Sequence, residues 1–198
     1  NEAGSLGYVG RLNYSYDDKY LAEFLYRTDA STKFAPANYW GEFYSLSGGW
    51  VISKESFFKS SVIDFLKVRA SVGVLGKDDT KAWQWRQRFT YQDGKGLVVG
   101  NGAASTGLKM EVTPNPDVTW SQELKTNYGI ETRMFDNRLS LSADYFQKKV
   151  DGLLFTPSAS LYLGTVPIPT ANIGSTETKG IDVTVSYNDT WSKNFKIN

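Results

Sequence analysis

The chain has 198 residues, with 22 basic and 21 acidic side chains and a formal net charge of +1, a balance that gives no global attraction to nucleic acid. It has no cysteine and no histidine, which removes disulfide frameworks, thiolate nucleophiles, the usual zinc ligands and the commonest general base. No catalytic residue, metal or cofactor is expected, and the 12 Tyr, 11 Phe, 6 Trp and 18 Gly suit a β-protein with many turns.

Alternation with period two predicts strands along most of the chain. Residues 5–16 set Leu6, Tyr8, Leu12, Tyr14 and Tyr16 on one face and Arg11 and Asn13 on the other. After the short turn 17–19, residues 19–30 set Tyr20, Phe24 and Tyr26 against Glu23, Arg27 and Asp29. A longer connection, 31–41, leads to a strand over 42–52, with Tyr44, Leu46 and Trp50 opposite Phe43, Ser45 and Ser47. In 53–64, Ser53 is placed to cap a short helical turn before Phe57 and Phe58. Residues 65–75 alternate most cleanly, Leu66, Val68, Val72 and Val74 against Lys67, Arg69 and Ser71.

Residues 76–119 read as one long connection holding a small hairpin around "DGKG" (93–96). A strand over 120–134 sets Leu124, Tyr128 and Ile130 against Lys125, Glu131 and Arg133. The turn 135–138 is tight, and 138–149 is the next strand. A second long loop covers 151–175, a seventh strand 177–187, and "FKIN" starts an eighth. The chain opens without Met or an apolar leader and stops inside this last pattern, which reads as a segment of a longer chain.

Alternation alone leaves two folds open. In a soluble β-sandwich the apolar faces meet in a core and the charges face water. In a transmembrane barrel the apolar face meets lipid and the charged face lines a wet lumen. Strands of 11–13 residues exceed the soluble mode of about 5–6. Short and long connections alternate, with 53–64 intermediate and the piece that fits a barrel least well, and aromatics gather near strand ends: Tyr14, Tyr16, Tyr20, Trp40, Trp120, Phe135, Tyr187 and Trp191. The length asymmetry and the end-weighted aromatics fit a barrel better than a sandwich, but against the far greater frequency of soluble β-proteins they bring the two folds only level. No apolar run approaches the length of about 18–20 residues that a membrane-spanning helix needs.

The stretch "YVGRLNYSYDDKYLAEFLYRTDASTKFAPANYWGEFYSLSGGWVIS" resembles the barrel segment of the SusC/RagA family of TonB-linked outer-membrane transporters of Bacteroidota. Tyr8, Gly10, Arg11, Leu12, Asn13, Tyr14, Tyr16, Lys19 and Tyr20 match the first part of the family pattern. Arg27, Asp29, Ser31 and Phe34 match the second, and Trp40, Gly41, Phe43, Ser45, Gly49 and Trp50 the third. Tyr44 stands where the family usually has Pro, and Ala30 where Gly is common. The likeness continues through "TPNPDVTWSQELKTNYGIETRMFDNRLSLSADYFQKKVDGLL" and "NIGSTETKGIDVTVSY".

The resemblance implies an all-β fold: an antiparallel transmembrane β-barrel segment, seven strands and the start of an eighth, from a barrel of about 22 strands. Residues 1–198 would form part of a single TonB-dependent receptor β-barrel domain, with no plug domain among them. The implied function is nutrient import, of oligosaccharides or peptides, across the cell outer membrane. The implied partners are the outer-membrane bilayer, a SusD-like lipoprotein, TonB acting through the plug, and the substrate. The alternative is a soluble β-sandwich carbohydrate-binding module.

Under the barrel reading Arg11, Glu23, Arg27, Asp29, Lys67, Arg69, Lys125, Glu131 and Arg133 face the lumen, where mixed charges can pair across neighbouring strands. A candidate ligand-binding outer loop carries Trp83, Trp85, Arg86, Arg88 and Tyr91, because aromatic faces stack on ligands and Arg supplies hydrogen-bond forks. Asp78 and Asp79 are weak calcium candidates, since a full site needs about 6–8 oxygens.

Overall fold

The computed structural model describes residues 3–100, 102–158, 162, 168–192 and 195–197. Its strands are β1 (Ser5–Tyr16), β2 (Tyr20–Ser31), β3 (Trp40–Val51), β4 (Ile63–Lys77), β5 (Arg88–Gln92), β6 (Val98–Val99), β7 (Ala103–Ala104), β8 (Gly107–Val112), β9 (Ser121–Met134), β10 (Leu139–Phe155), β11 (Ala171–Tyr187), β12 (Asp189–Ser192) and β13 (Phe195–Ile197). Seven of them form one sheet in the order β1-β2-β3-β4-β9-β10-β11, antiparallel throughout.

No second sheet covers the aromatic face among the described residues. Leu12, Phe24, Leu46, Val72, Ile130 and Val183 are all exposed there. In a sandwich these side chains would be the core, so the alternation belongs to a single sheet with its apolar face open. In a barrel wall that face meets lipid.

The register explains how the aromatics bound this face. One row of directly paired residues runs Tyr14, Ala22, Gly48, Ala70, Tyr128 and Tyr145. Tyr14 lies near the short-turn end of β1, whereas Tyr145 is the last outward aromatic on β10 before Gln147 and Lys149. Beyond it the outward positions carry the ion pairs Lys149–Asp151, at 2.9 Å, and Lys179–Glu177, at 3.0 Å. The boundary between apolar and polar thus crosses the hydrogen-bonded rows diagonally, as tilted barrel strands require. From Tyr8 to Tyr16 the chain runs about 26 Å at about 3.3 Å per residue, which at a tilt of about 40° spans about 20 Å of height, most of a lipid-facing band about 25 Å tall.

Several local expectations change. Ser53 caps nothing: it lies inside a 3-10 turn over Ile52–Lys54, with no side-chain cap. The connection 76–119 holds a nested hairpin, β5 with β8 and β6 with β7. "DGKG" is a kink on one arm of it, not its tip. The second long loop is shorter than 151–175, because β10 and β11 pair on to Phe155 and Ala171. Alternation is lost there since Gly152, at φ +69°, makes a bulge that shifts the register. Phe195–Ile197 pairs with β12 and not with the sheet. The side chain of Trp191 lies outside the described residues.

Trp120 does not belong to the lipid boundary. Its ring sits 5.2 Å from Phe34 and 5.5 Å from Phe43, and its Nε1 donates to the Tyr39 carbonyl at 3.2 Å. Phe34 and Phe43 are buried. This small core ties the β2–β3 connection to the approach of β9, so the long-loop end is braced from inside.

Candidate functional site

The inner face of the sheet carries the charges. Arg69, on β4, reaches across β9 to β10: its Nη2 donates to both Asp144 oxygens at 2.8 and 2.7 Å, and its Nη1 lies 3.1 Å from Glu131. The route is open because Gly129 is the residue between them in register; a Cβ there would meet the side chains of both Arg69 and Asp144. Asp144 pairs directly with Asp182 on β11. Like charges opposed in this way are destabilising, and the Arg69 fork offsets them.

Nearer the long-loop end Glu123 is held between Lys77, at 3.0 Å, and Lys148, at 3.1 Å. Arg27 donates to Asp29 at 2.6 Å on the same strand, and Arg11 lies 3.9 Å from Glu23. Arg133 stacks its guanidinium over Phe65 at 4.4 Å. Of the residues expected on this face, Lys67 and Lys125 have no ion pair among the described residues. Glu123, Lys77, Asp144 and Lys148 join the network without having been singled out in the sequence. Their even or odd positions were the available signal: the 135–138 turn switches the inward positions from odd on β9 to even on β10. Most of the inner charges are therefore spent bracing adjacent strands.

The outer loop brings together three of its five candidates. The Trp83 and Trp85 rings lie 6.0 Å apart at 39°, with the Arg86 guanidinium 5.3 Å from one and 4.5 Å from the other. Trp83 has φ +65°, which turns its ring toward Arg86 at some backbone cost. Trp85 Nε1 and Arg88 Nε are buried without a hydrogen-bond partner among the described residues. Arg88 sits apart on β5, 3.6 Å from Glu111 of β8. Tyr91, 77% exposed, shares an open hairpin face with Phe89, Leu108 and Met110. Asp78 is engaged by Ser31 Oγ at 2.9 Å and by Lys33 at 3.1 Å, and no group of three or more acidic, His or Cys residues suited to a metal occurs among the described residues.

Comparison with known proteins places this geometry. A family model described as TonB dependent receptor-like, beta-barrel matches residues 2–198. TonB-dependent receptor P39 of Formosa agariphila is 32% identical over 94% of the chain and 18% of its own length. TonB-dependent receptor SusC of Bacteroides thetaiotaomicron is 29% identical over 96% of the chain and 20% of its own length. A solved structure of the RagAB peptide transporter superposes with a TM-score of 0.86 at 23% identity, over 98% of this chain and 21% of that one. The chain thus spans about a fifth of the length of these relatives. With its open apolar face and paired inner charges, the chain belongs to the TonB-dependent receptor β-barrel family of the outer membrane, with SusC among its relatives, and it shares the fold of the RagAB transporter.

Proposed function

We propose that residues 1–198 form part of the barrel wall of an outer-membrane importer energised through TonB. Its substrates are oligosaccharides or peptides, and a SusD-like lipoprotein lies over its extracellular mouth. The plug and the TonB-contacting segment are supplied by other parts of the protein. The observation that carries this reading is the family match along residues 2–198, supported by a sheet whose apolar face is open and whose charges turn inward. Short turns then lie in the periplasm and long loops outside.

The Trp83–Arg86–Trp85 stack and the Phe89–Tyr91 face of the hairpin are the outer contacts for ligand or lid. Deleting the full-length protein is expected to abolish TonB-dependent uptake of at least one labelled oligosaccharide or peptide pool. Unchanged uptake of every pool would overturn the proposal. The double substitution Trp83→Ala with Trp85→Ala is expected to weaken substrate or lid binding about tenfold, roughly 1.4 kcal/mol. Unaltered binding of both would remove the loop from the site.

A further inference from the structure

At the short-turn end, the connection between β3 and β4 folds back over the outer face of the sheet. Tyr20 and Trp50 are direct partners, with rings stacked 6.4 Å apart at 11°. Tyr16 flanks them at 6.4 Å. Glu55 leans onto this outward trio: Tyr20 Oη donates to its Oε1 at 2.7 Å, and Trp50 Nε1 donates to the same oxygen at 3.0 Å. Lys19 Nζ lies 3.9 Å from the other oxygen. The backbone is pinned as well, Glu55 N–H donating to the Ile52 carbonyl and Phe58 N–H to the Glu55 carbonyl. The Tyr20 and Trp50 hydrogen bonds hold the Glu55 carboxyl below the usual glutamate range, so it stays charged while it grips.

This fastening presents Phe57. Its ring meets Trp50 edge-on at 6.4 Å, yet 67% of the residue is exposed. An apolar ring fixed by its neighbours and continuous with a row of outward aromatics is placed for an apolar phase. Lys54 and Lys59 flank it in sequence. Lys54 is 48% exposed and also touches Asp18 at 3.3 Å, and long lysine stems let their charges reach headgroup phosphates while the ring stays lower. Aromatic rings at this level favour the boundary between acyl chains and headgroups.

We infer that Glu55–Phe57 is a membrane-seating wedge, in which Phe57 enters the periplasmic leaflet of a phospholipid bilayer and Glu55 holds it in place. This rests on the barrel reading, and the experiment separates the two. Nitroxide labels are placed in the full-length protein, with any cysteine outside residues 1–198 first replaced by serine, at Phe57→Cys, at mid-wall Val72→Cys and at turn position Asn188→Cys. The protein is reconstituted in phosphatidylcholine–phosphatidylglycerol vesicles, and collisions with oxygen and with an aqueous nickel chelate are measured. The label at 57 is expected to be open to oxygen and several-fold more shielded from nickel than the label at 188. Nickel access at 57 equal to that at 188, with 72 shielded, would overturn the wedge alone. Shielding of 57 from both reagents would overturn it in favour of a protein contact, such as a second copy. Nickel access at 72 would overturn the barrel reading beneath it.

Discussion

The Arg69 guanidinium and the missing side chain of Gly129 are one device. Arg69→Ala removes the charge shared by Glu131 and Asp144 and returns Asp144 to direct opposition with Asp182. These groups are partly exposed, so the expected loss of stability is about 1 kcal/mol. Gly129→Ala is expected to cost a similar amount by driving Arg69 from its route. Because the two act on one gap, the double variant is expected to lose less than the two losses added together, read from the unfolding midpoint of the full-length protein. Strict additivity would show that Gly129 is not Arg69's passage. At Glu55 the sign of the pH effect is set by its lowered value, caused first by the Tyr20 hydrogen bond and next by that of Trp50. A depressed carboxylate contributes its stability above the ordinary glutamate range and loses it as pH falls through the lower native value. Lys19 stays charged throughout, its own value raised by Asp17. A spin label at position 57 is therefore expected to loosen only in acid below the glutamate range, and to show no such pH dependence in Glu55→Gln.

Single strands test which face meets lipid. Val72 and Ser71 are neighbours on β4, one outward beside Leu46, the other inward beside Ser47. Arg at mid-depth on a lipid face costs about 2–4 kcal/mol, whereas an inner Arg joins a wet, mixed-charge surface. Val72→Arg is expected to lower the folded, heat-modifiable fraction in the outer membrane sharply, and Ser71→Arg to lower it little. Equal losses would contradict the facing. The strands are legible in the sequence where alternation is strict: period two gives β1 to the residue, and β2 and β4 to within two at either end. Alternation does not give the strand ends where a glycine breaks the period, as at Gly152, or where pairing is local, as at β12 and β13. Trp120 escapes the sequence because an aromatic beside a strand end looks the same there whether it meets lipid or, as here, Phe34 and Phe43. The inner-face pairs show the same limit. Arg11, Glu23, Arg27, Asp29, Lys67, Arg69, Glu131 and Arg133 could be given a face, but partners such as Arg69 and Asp144 lie 75 residues apart.

On the scale of the whole sheet, β1 and β11 each have one side without a partner strand among the described residues. Exposed backbone donors and acceptors cannot be left in the hydrocarbon of a bilayer. The 198-residue chain on its own is therefore expected to give no channel conductance in planar bilayers and to associate through its edges. Steady unit conductance from the isolated chain would show that it closes by itself. Period-two alternation, the charge balance, the family motifs and the lengths of the connections are properties of the sequence, because side-chain direction in a strand follows from position alone. Alternation nevertheless treats a lipid-facing surface and a sandwich core as equals, since both accept the same side chains. Only the tertiary structure decided between them, by leaving Leu12, Phe24, Leu46 and Val72 uncovered on one continuous sheet. It also decided which distant charges meet, because that depends on strand register, which hydrogen bonds between strands set and no single strand contains.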